Sequence, residues 1–194
     1  MVRPFVRLAV IVGSTREGRC ALTIASWFAD RARARPDVDL DVLDLAELSL
    51  PAALTPVSDG TTADDVRDVS ARLHAADAFV VVTPEYNHSF PASLKNAIDW
   101  FTVEWHAKPV GFVSYGGLSG GLRAVEHLRH VFAELHATTV RNTVSITNFW
   151  DHFDKSGRLV CPDQLDRAAA RLLEQLVWWA RALRTARDEH PYVG

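Results

Sequence analysis

The fold of this chain is decided by residues 79–100, which read FVVVTPEYNHSFPASLKNAIDW. Four consecutive apolar residues predict a buried strand over residues 78–83, and the polar segment after it predicts a turn. Pro91 suits the first turn of a helix, which we expect to run from about Pro91 to Glu104. Apolar residues recur there at helical spacing, at Leu94, Ala97, Ile98 and Phe101.

The same alternation of strand and helix continues on both sides of this stretch. Apolar or alternating runs predict further strands over residues 6–12, 40–45, 110–114 and 139–147. Amphipathic spacing predicts helices over residues 22–32, 66–76, 122–135 and 165–187. Because parallel strands need crossover connections, this order predicts a parallel sheet with helices on both faces.

Five strands in a chain of 194 residues predict a flavodoxin-like three-layer α/β sandwich with strand order 2-1-3-4-5. The alternative Rossmann order needs a sixth strand, for which the sequence has no segment. A hydrophobic content of 48% suits one domain over residues 1–194. Residues 50–60 are predicted to be a long loop, because too little chain precedes them to form a domain.

Composition argues against several classes of partner. The formal net charge is −3 and the 21 lysines and arginines are scattered, so we expect no nucleic-acid partner. No apolar run approaches the ~20 residues that cross a bilayer, so we expect no membrane partner. Cys20 and Cys161 lie in unrelated contexts, which predicts a reduced, cytoplasmic protein. The eight histidines show no metal-ligand spacing, and no metal is expected.

The loop after the first strand, residues 13–20, is a candidate phosphate site. Backbone N–H groups and the positive end of a helix dipole face an anion at this point of the fold. Ser14 and Thr15 can add hydroxyl donors, and Arg16 and Arg19 add positive charge that suits a phosphate monoester. Both arginines are expected to face solvent. An ordinary strand-to-helix turn with two solvated arginines is an equal alternative from the loop alone.

The turns after strands three and four should meet this loop at one edge of the sheet, where ligands bind in open α/β folds. The first turn offers Pro84, Glu85, Tyr86 and Asn87. The second offers Ser114, Tyr115, Gly116 and Gly117, whose glycines permit a close backbone approach. For each residue the alternative is ordinary packing or an ordinary turn.

Two segments together, Pro84 to Asn87 and Leu94 to Trp100 after Pro91, resemble the NADPH-dependent FMN reductase family. The resemblance implies bound FMN, with its phosphate at Ser14, Arg16 and Arg19, and with Cys20 where many relatives carry serine. It places the flavin ring against two sets of residues: Pro84, Glu85, Tyr86 and Asn87, and Ser114, Tyr115, Gly116 and Gly117.

The resemblance also implies NADPH or NADH as electron donor and a small-molecule acceptor: a flavin, a quinone, an azo compound or a metal oxyanion. Because the cofactor carries the chemistry, no side chain is required as a catalytic acid or base. The family is generally oligomeric, which implies a homodimer or homotetramer, with Asp99 and Trp100 at a subunit contact. Lys95 and Asn96 are expected to serve in helix capping and pairing.

Two rival functions stay open. A flavodoxin-type electron-transfer protein would bind FMN without oxidising a nicotinamide, but such shuttles are usually strongly acidic and use hydroxyls where this loop has Arg16 and Arg19. A flavin-free regulatory domain on the same fold is the other rival, because fold does not fix function.

Two aromatic segments are left over. Trp178 and Trp179 are expected to pack the last helix onto the sheet. Residues 149–154, FWDHFD, are expected to form a lid or a surface between subunits.

Overall fold

The computed structural model describes residues 4–54, 60–160 and 163–194. Five parallel strands form one sheet in the order β2-β1-β3-β4-β5, which confirms the predicted topology. They are β1 (Val6–Val12), β2 (Val38–Asp44), β3 (Ala78–Pro84), β4 (Pro109–Tyr115) and β5 (Thr138–Ile146). Cys161 and part of the predicted loop, residues 55–59, lie outside the described residues.

Five helices alternate with the strands and cover both faces of the sheet. They are α1 (Ala21–Arg33), α2 (Gly60–Ala75), α3 (Ala92–Asp99), α4 (Leu122–Glu134) and α5 (Asp163–Glu189). Alternate residues of β1 enter two separate cores, as the period of two along a strand requires. Val10 packs in the core with α1 and α5, whereas Ile11 packs in the core with α2, α3 and α4. The three-layer sandwich is therefore confirmed.

A glycine in β4 lies where α5 packs closely on the sheet. The register between β4 and β5 shifts between Val110 and Phe112. A Cβ added to the intervening Gly111 would lie 2.8 Å from Cδ1 of Leu172 in α5. A larger residue at this position would displace the Leu172 side chain, so glycine favours the close packing of the last helix on the sheet.

The helix after the β3 turn is shorter than predicted. It ends at Asp99, and a 3-10 turn follows at Val103–Trp105. The Trp105 indole N–H donates to the carbonyl of Phe101 at 2.8 Å, and this side chain is only 2% exposed. The Glu104 carboxylate accepts from the backbone N–H of Thr102 at 3.1 Å. Burial of Trp105 and the bond at Glu104 thus replace the last turn of the predicted helix.

Only one of the two tryptophans of α5 packs on the sheet as predicted. Trp179 is partly buried against the core, but Trp178 is 63% exposed. Neighbouring positions on a helix point about 100° apart. The expectation that both pack on the sheet is therefore wrong for Trp178.

The described parts of the chain contain neither a membrane-spanning helix nor a cluster of metal-ligating side chains. No helix there combines the length and apolar character needed to cross a bilayer. The same residues contain no group of three or more His, Cys, Asp or Glu side chains placed to hold a metal ion.

Candidate functional site

A cleft of about 360 Å³ opens at the carboxyl edge of the sheet. The loops after β1, β3 and β4 form three of its walls, and a segment after β5 forms the fourth. We call this space the edge cleft; its lining is Arg16, Glu17, Gly18, Arg19, Cys20, Pro84, Glu85, Tyr86, Tyr115, Gly116, Gly117, Phe149 and Trp150. Its size is in the range of small-molecule sites.

Most of the predicted site residues meet in the edge cleft. Those that line it are Arg16, Arg19, Pro84, Glu85, Tyr86, Tyr115, Gly116 and Gly117. Ser14, Thr15, Asn87 and Ser114 do not line it. Among the lining residues that the sequence argument did not place in the site, Phe149 and Trp150 form a complete wall.

Arg16 and Arg19 lie in the same loop but differ in their surroundings. Arg16 is exposed, and neither an ion pair nor a hydrogen bond joins its side chain to any described residue. Arg19 donates from Nη1 and Nη2 to the two carboxylate oxygens of Asp44, at 2.5 and 2.6 Å. Its Nη1 also donates to the carbonyl of Ser14 at 2.7 Å. The expectation that both arginines face solvent is therefore wrong for Arg19.

Asp44, at the end of β2, is the partner that the sequence argument missed. The exposed fractions of the Arg19 and Asp44 side chains are 13% and 6%. Burial raises the pKa of Asp44, but the Arg19 guanidinium and the Ala46 N–H outweigh burial and hold the pKa below its ordinary value. The hydrogen bonds that Arg19 donates to Asp44 likewise raise the pKa of Arg19. The pair is fully ionised, which leaves the exposed side chains of Arg16 and Glu17 as the charges of the loop without an ion-pair partner among the described residues.

Ser14 is buried and joins two walls of the cleft. Its hydroxyl lies 2.9 Å from the hydroxyl of Tyr86. The backbone N–H of Gly13 donates to the carbonyl of Val82 at 2.9 Å, and Ser93 Oγ donates to the Gly13 carbonyl at 3.0 Å. These bonds fix the start of the loop against β3, the following turn and α3.

The turn after β3 is a two-residue hairpin. Tyr86 and Ser89 exchange backbone hydrogen bonds at 2.8 and 3.0 Å, and Asn87 and His88 between them have φ values of 48° and 70°. Two positive φ values favour asparagine at the first position. Asn87 thus serves the turn, and its exposed side chain lies outside the cleft.

Glu85 ties the turn after β3 to the start of α4. Its carboxylate accepts from Nη1 of Arg123 at 2.8 Å and from the backbone N–H of Arg123 at 3.1 Å. Burial raises the pKa of Glu85, but hydrogen bonds from Ser119 and Arg123 lower it below its ordinary value. Glu85 is therefore an ionised, compensated carboxylate at the wall of the cleft.

The turn after β4 supplies a floor of backbone. A Cβ on Gly116 would lie 3.1 Å from the N atom of Gly121, so this position has little room for a side chain. Tyr115 is buried, and burial together with the nearby Tyr86 raises the pKa of its hydroxyl. Tyr115 therefore stays protonated at neutral pH.

Ser114 has a different role from the one expected. It is fully buried, and its hydroxyl donates to the carbonyl of Gly120 at 2.8 Å. Gly121 next to it has a φ of 86°, and a Cβ there would lie 2.6 Å from Cβ of Ser114. Ser114 therefore shapes the glycine turn from below and does not line the cleft.

The fourth wall is a 3-10 turn at Phe149–His152, which is hydrogen-bonded to the glycine turn. The backbone N–H of Asn148 donates to the Gly117 carbonyl at 2.9 Å, and that of Phe149 to the Gly116 carbonyl at 3.2 Å. The Phe149 ring lies edge to face with Tyr115 and with Trp150, at centroid distances of 5.3 and 5.2 Å. The aromatic excess in residues 149–154 was the signal for this wall.

The family-like residues of α3 lie away from the cleft. Lys95 forms an ion pair with Asp99 at 2.6 Å, in agreement with the pairing expected from the sequence. Asn96 Nδ2 donates to the Leu50 carbonyl at 3.0 Å, and the Trp100 indole donates to the Pro51 carbonyl at 2.9 Å. Asn96 and Trp100 thus hold the long loop after β2 in place.

A larger cavity of about 870 Å³ opens at the opposite, amino edge of the sheet. Its lining includes Lys108, whose Nζ donates to the carbonyls of Leu73 and His74 at 2.8 and 3.0 Å. Burial, with a smaller effect from Arg187, lowers the pKa of Lys108 to about 8. Arg187 donates to the Ala107 carbonyl. These cations serve carbonyl groups of the chain itself, so the smaller edge cleft is the better candidate site.

The sheet order and the edge cleft define a flavodoxin-like α/β protein with a ligand site at the carboxyl ends of its strands. The sequence model of one family, described as NADPH-dependent FMN reductase, matches residues 6–151. The chain belongs to this family. The match includes every wall of the edge cleft.

Individual proteins agree with this assignment. The chain is 36% identical over 130 residues to an NAD(P)H-dependent FMN reductase of Schizosaccharomyces pombe, which covers 64% of this chain and 64% of the yeast protein, less than two thirds of its length. It is 31% identical over 166 residues to an NADPH:quinone oxidoreductase of Arabidopsis thaliana, covering 82% and 84% of the two chains. In fold it resembles a flavoenzyme NAD(P)H:(acceptor) oxidoreductase of Paracoccus denitrificans, with a TM-score of 0.68 at 21% identity over 91% and 98% of the chains.

Proposed function

We propose that this chain is an FMN-dependent NAD(P)H oxidoreductase that passes electrons to a small-molecule acceptor. The observation that carries the proposal is the edge cleft, which joins an exposed arginine without an ion-pair partner among the described residues at one end to a glycine and aromatic slot at the other. FMN has the matching halves: a phosphate monoester and a flat aromatic ring. When bound, FMN supplies the acceptor site for hydride and the route of electrons to the second substrate.

The residues present fit FMN. Arg16 and the backbone of residues 14–18 would hold the phosphate, with Arg19 fixing the loop behind them. The slot between Tyr86 and the Gly116–Gly117 backbone would hold the ring, because glycine there leaves the main chain open to close approach. Trp150 would stand at the mouth of the slot, beyond the ring. No side chain in the cleft is required as a catalytic acid or base.

Protein side chains would act on the ring through dipoles and shape. Tyr115 is protonated and buried, so its hydroxyl adds a neutral donor near Ser14. Glu85 lies at the wall, but Arg123 offsets its charge at 2.8 Å. The cleft therefore carries little net charge at the ring end, and its other end presents the Arg16 guanidinium beside the carboxylate of Glu17.

The wider assignment rests on the family. We propose NADPH or NADH as donor and a flavin, quinone, azo compound or metal oxyanion as acceptor. We also propose that residues 1–194 act as one FMN-binding domain in a cytoplasmic homodimer or homotetramer. Leu118 and Leu122, exposed beside the glycine turn, support a subunit contact near the cleft.

An anaerobic visible spectrum of the FMN-saturated protein tests the proposed function. We expect loss of the oxidised flavin band when NADPH or NADH is added, and recovery when a quinone follows. Bound flavin that stays oxidised with both nucleotides would favour the flavodoxin-type shuttle. Absence of flavin binding would contradict both functions and favour the flavin-free domain.

A further inference from the structure

We infer that Trp150 is a specificity-determining residue: its indole is the stacking surface for a planar aromatic acceptor and discriminates against acceptors without an aromatic face. The inference rests on the proposed function and extends it to a residue of this chain. Trp150 lies at the mouth of the edge cleft and is 56% exposed.

The backbone of Trp150 is held in place on both sides. Asp151 N–H donates to the Asn148 carbonyl at 2.9 Å, and Asn148 itself is bonded to Gly117. Asn148 has a φ of 45°, the left-handed conformation that turns the chain back over the glycine turn. The 3-10 turn therefore fixes the backbone position of Trp150, whose side chain lines the edge cleft.

The indole lies over the bare backbone of Gly117. The distance from Cη2 of Trp150 to a Cβ built on Gly117 would be 3.4 Å, so a real side chain there would occupy the contact surface of the ring. The Phe149 ring lies at a steep angle to the indole, at a centroid distance of 5.2 Å. With these two contacts, more than half of Trp150 stays accessible.

Trp150 is chemically uncommitted, unlike the tryptophans that hold the fold. The indole N–H groups of Trp27, Trp100 and Trp105 donate to Asp166, Pro51 and Phe101, respectively. The N–H of Trp150 has no hydrogen-bond acceptor among the described residues. It can therefore donate to a ligand carbonyl while the ring stacks on the ligand, a combination that suits a quinone.

An inorganic oxidant such as ferricyanide provides no aromatic face and so gains nothing from this surface. With a quinone, NADPH and one proton give NADP⁺ and the hydroquinone. With ferricyanide, NADPH gives NADP⁺, one proton and two ferrocyanide ions. The two acceptors thus share the donor and the cleft, and differ in their ability to stack.

The test compares Trp150→Ala with Trp178→Ala, since Trp178 is similarly exposed, at 63%, but lies on α5 away from the cleft. Calorimetric titration of 2-methyl-1,4-naphthoquinone into the oxidised, FMN-loaded protein, without nucleotide, measures its Kd. Loss of one aromatic stack should raise this Kd about tenfold in Trp150→Ala and leave it within about twofold in Trp178→Ala. Trp150→Phe should recover most of the affinity.

Turnover with NADPH completes the test. We expect the KM of the naphthoquinone to rise in Trp150→Ala in parallel with its Kd, while kcat/KM for ferricyanide changes less than about twofold. An unchanged quinone Kd would overturn the inference. Equal losses with both acceptors would also overturn it, because they would place Trp150 in flavin binding. Failure of NADPH to bleach the wild-type flavin would instead contradict the proposed function and leave the Kd comparison readable.

Discussion

The loop after β1 and the segment after β5 form facing walls of the edge cleft, yet they use their side chains in opposite ways. In residues 13–20, Ser14 is bonded to Tyr86 and Arg19 to Asp44. In the segment after β5, the backbone is bonded to Gly116 and Gly117, and the indole of Trp150 is left accessible. The first wall is rigid through its side chains, the second through its main chain.

This difference shows that a residue in a family motif need not be the one that touches the ligand. Arg16 and Arg19 are equally prominent in the sequence. The structure gives Arg19 a buried carboxylate partner and gives Arg16 none among the described residues. We therefore expect Arg19 to act on the shape of the loop and Arg16 to act on the phosphate.

The largest expected effect is loss of stability in Arg19→Ala. Removing the guanidinium leaves Asp44 buried without its counter-charge, which should lower the free energy of unfolding by about 3 kcal/mol. Urea denaturation of the FMN-free protein measures this. The matched control, Arg16→Ala, should change the free energy by less than about 0.5 kcal/mol because that side chain is exposed. Equal stabilities of the two variants would remove the distinction between the arginines.

The loss of folding stability at acid pH provides a second test of the Arg19–Asp44 pair. The folded pKa of Asp44 lies below its ordinary value of 3.8, so the stability it contributes is fully present above pH 3.8 and is lost as the pH falls through the folded pKa. Asp44→Asn should therefore be less stable than wild type at pH 6 by about 2 kcal/mol, and the difference should shrink below pH 3.8. Denaturation curves at a series of pH values measure the difference. A constant difference across that range would mean that the ion pair is not its source.

Binding of FMN should separate the two arginines in the opposite order. Arg16→Ala removes one charge-assisted contact to the phosphate and should weaken FMN binding about tenfold, as followed by flavin fluorescence. Its affinity for riboflavin, which has no phosphate, should not change. If riboflavin binding weakens to the same extent, Arg16 contacts the ring or supports the fold.

Much of the fold was readable from the sequence because its signals are local. All five strands begin and end within two residues of their predicted bounds, since each is an apolar or alternating run closed by a turn. The helix predicted to Glu104 is too long because Trp105 packs against Phe79 and Phe132, which lie far away in the sequence, and its indole N–H bonds back to the Ile98 and Phe101 carbonyls. No periodicity within residues 91–104 contains that information.

The site was readable only where its residues lie in motifs. Glycines at 116 and 117 and the turn at Tyr86 lie at the carboxyl ends of strands, and topology brings them together. Asp44 lies 25 residues from Arg19, and nothing in the sequence distinguishes it from neighbouring aspartates such as Asp39 and Asp41. Asn87 and Ser114 match the motif, but their side chains serve the hairpin and the glycine turn.

The phosphate end and the ring end of a bound flavin contact different walls of the edge cleft, so their contributions can be measured separately. Titration of FMN and of riboflavin into the flavin-free wild-type protein measures the contribution of the phosphate alone. We predict that FMN binds at least about a hundredfold more tightly than riboflavin, because charge-assisted bonds from Arg16 and the loop backbone add to the ring contacts that both ligands share. Equal affinities would contradict the assignment of the loop after β1 as the phosphate site.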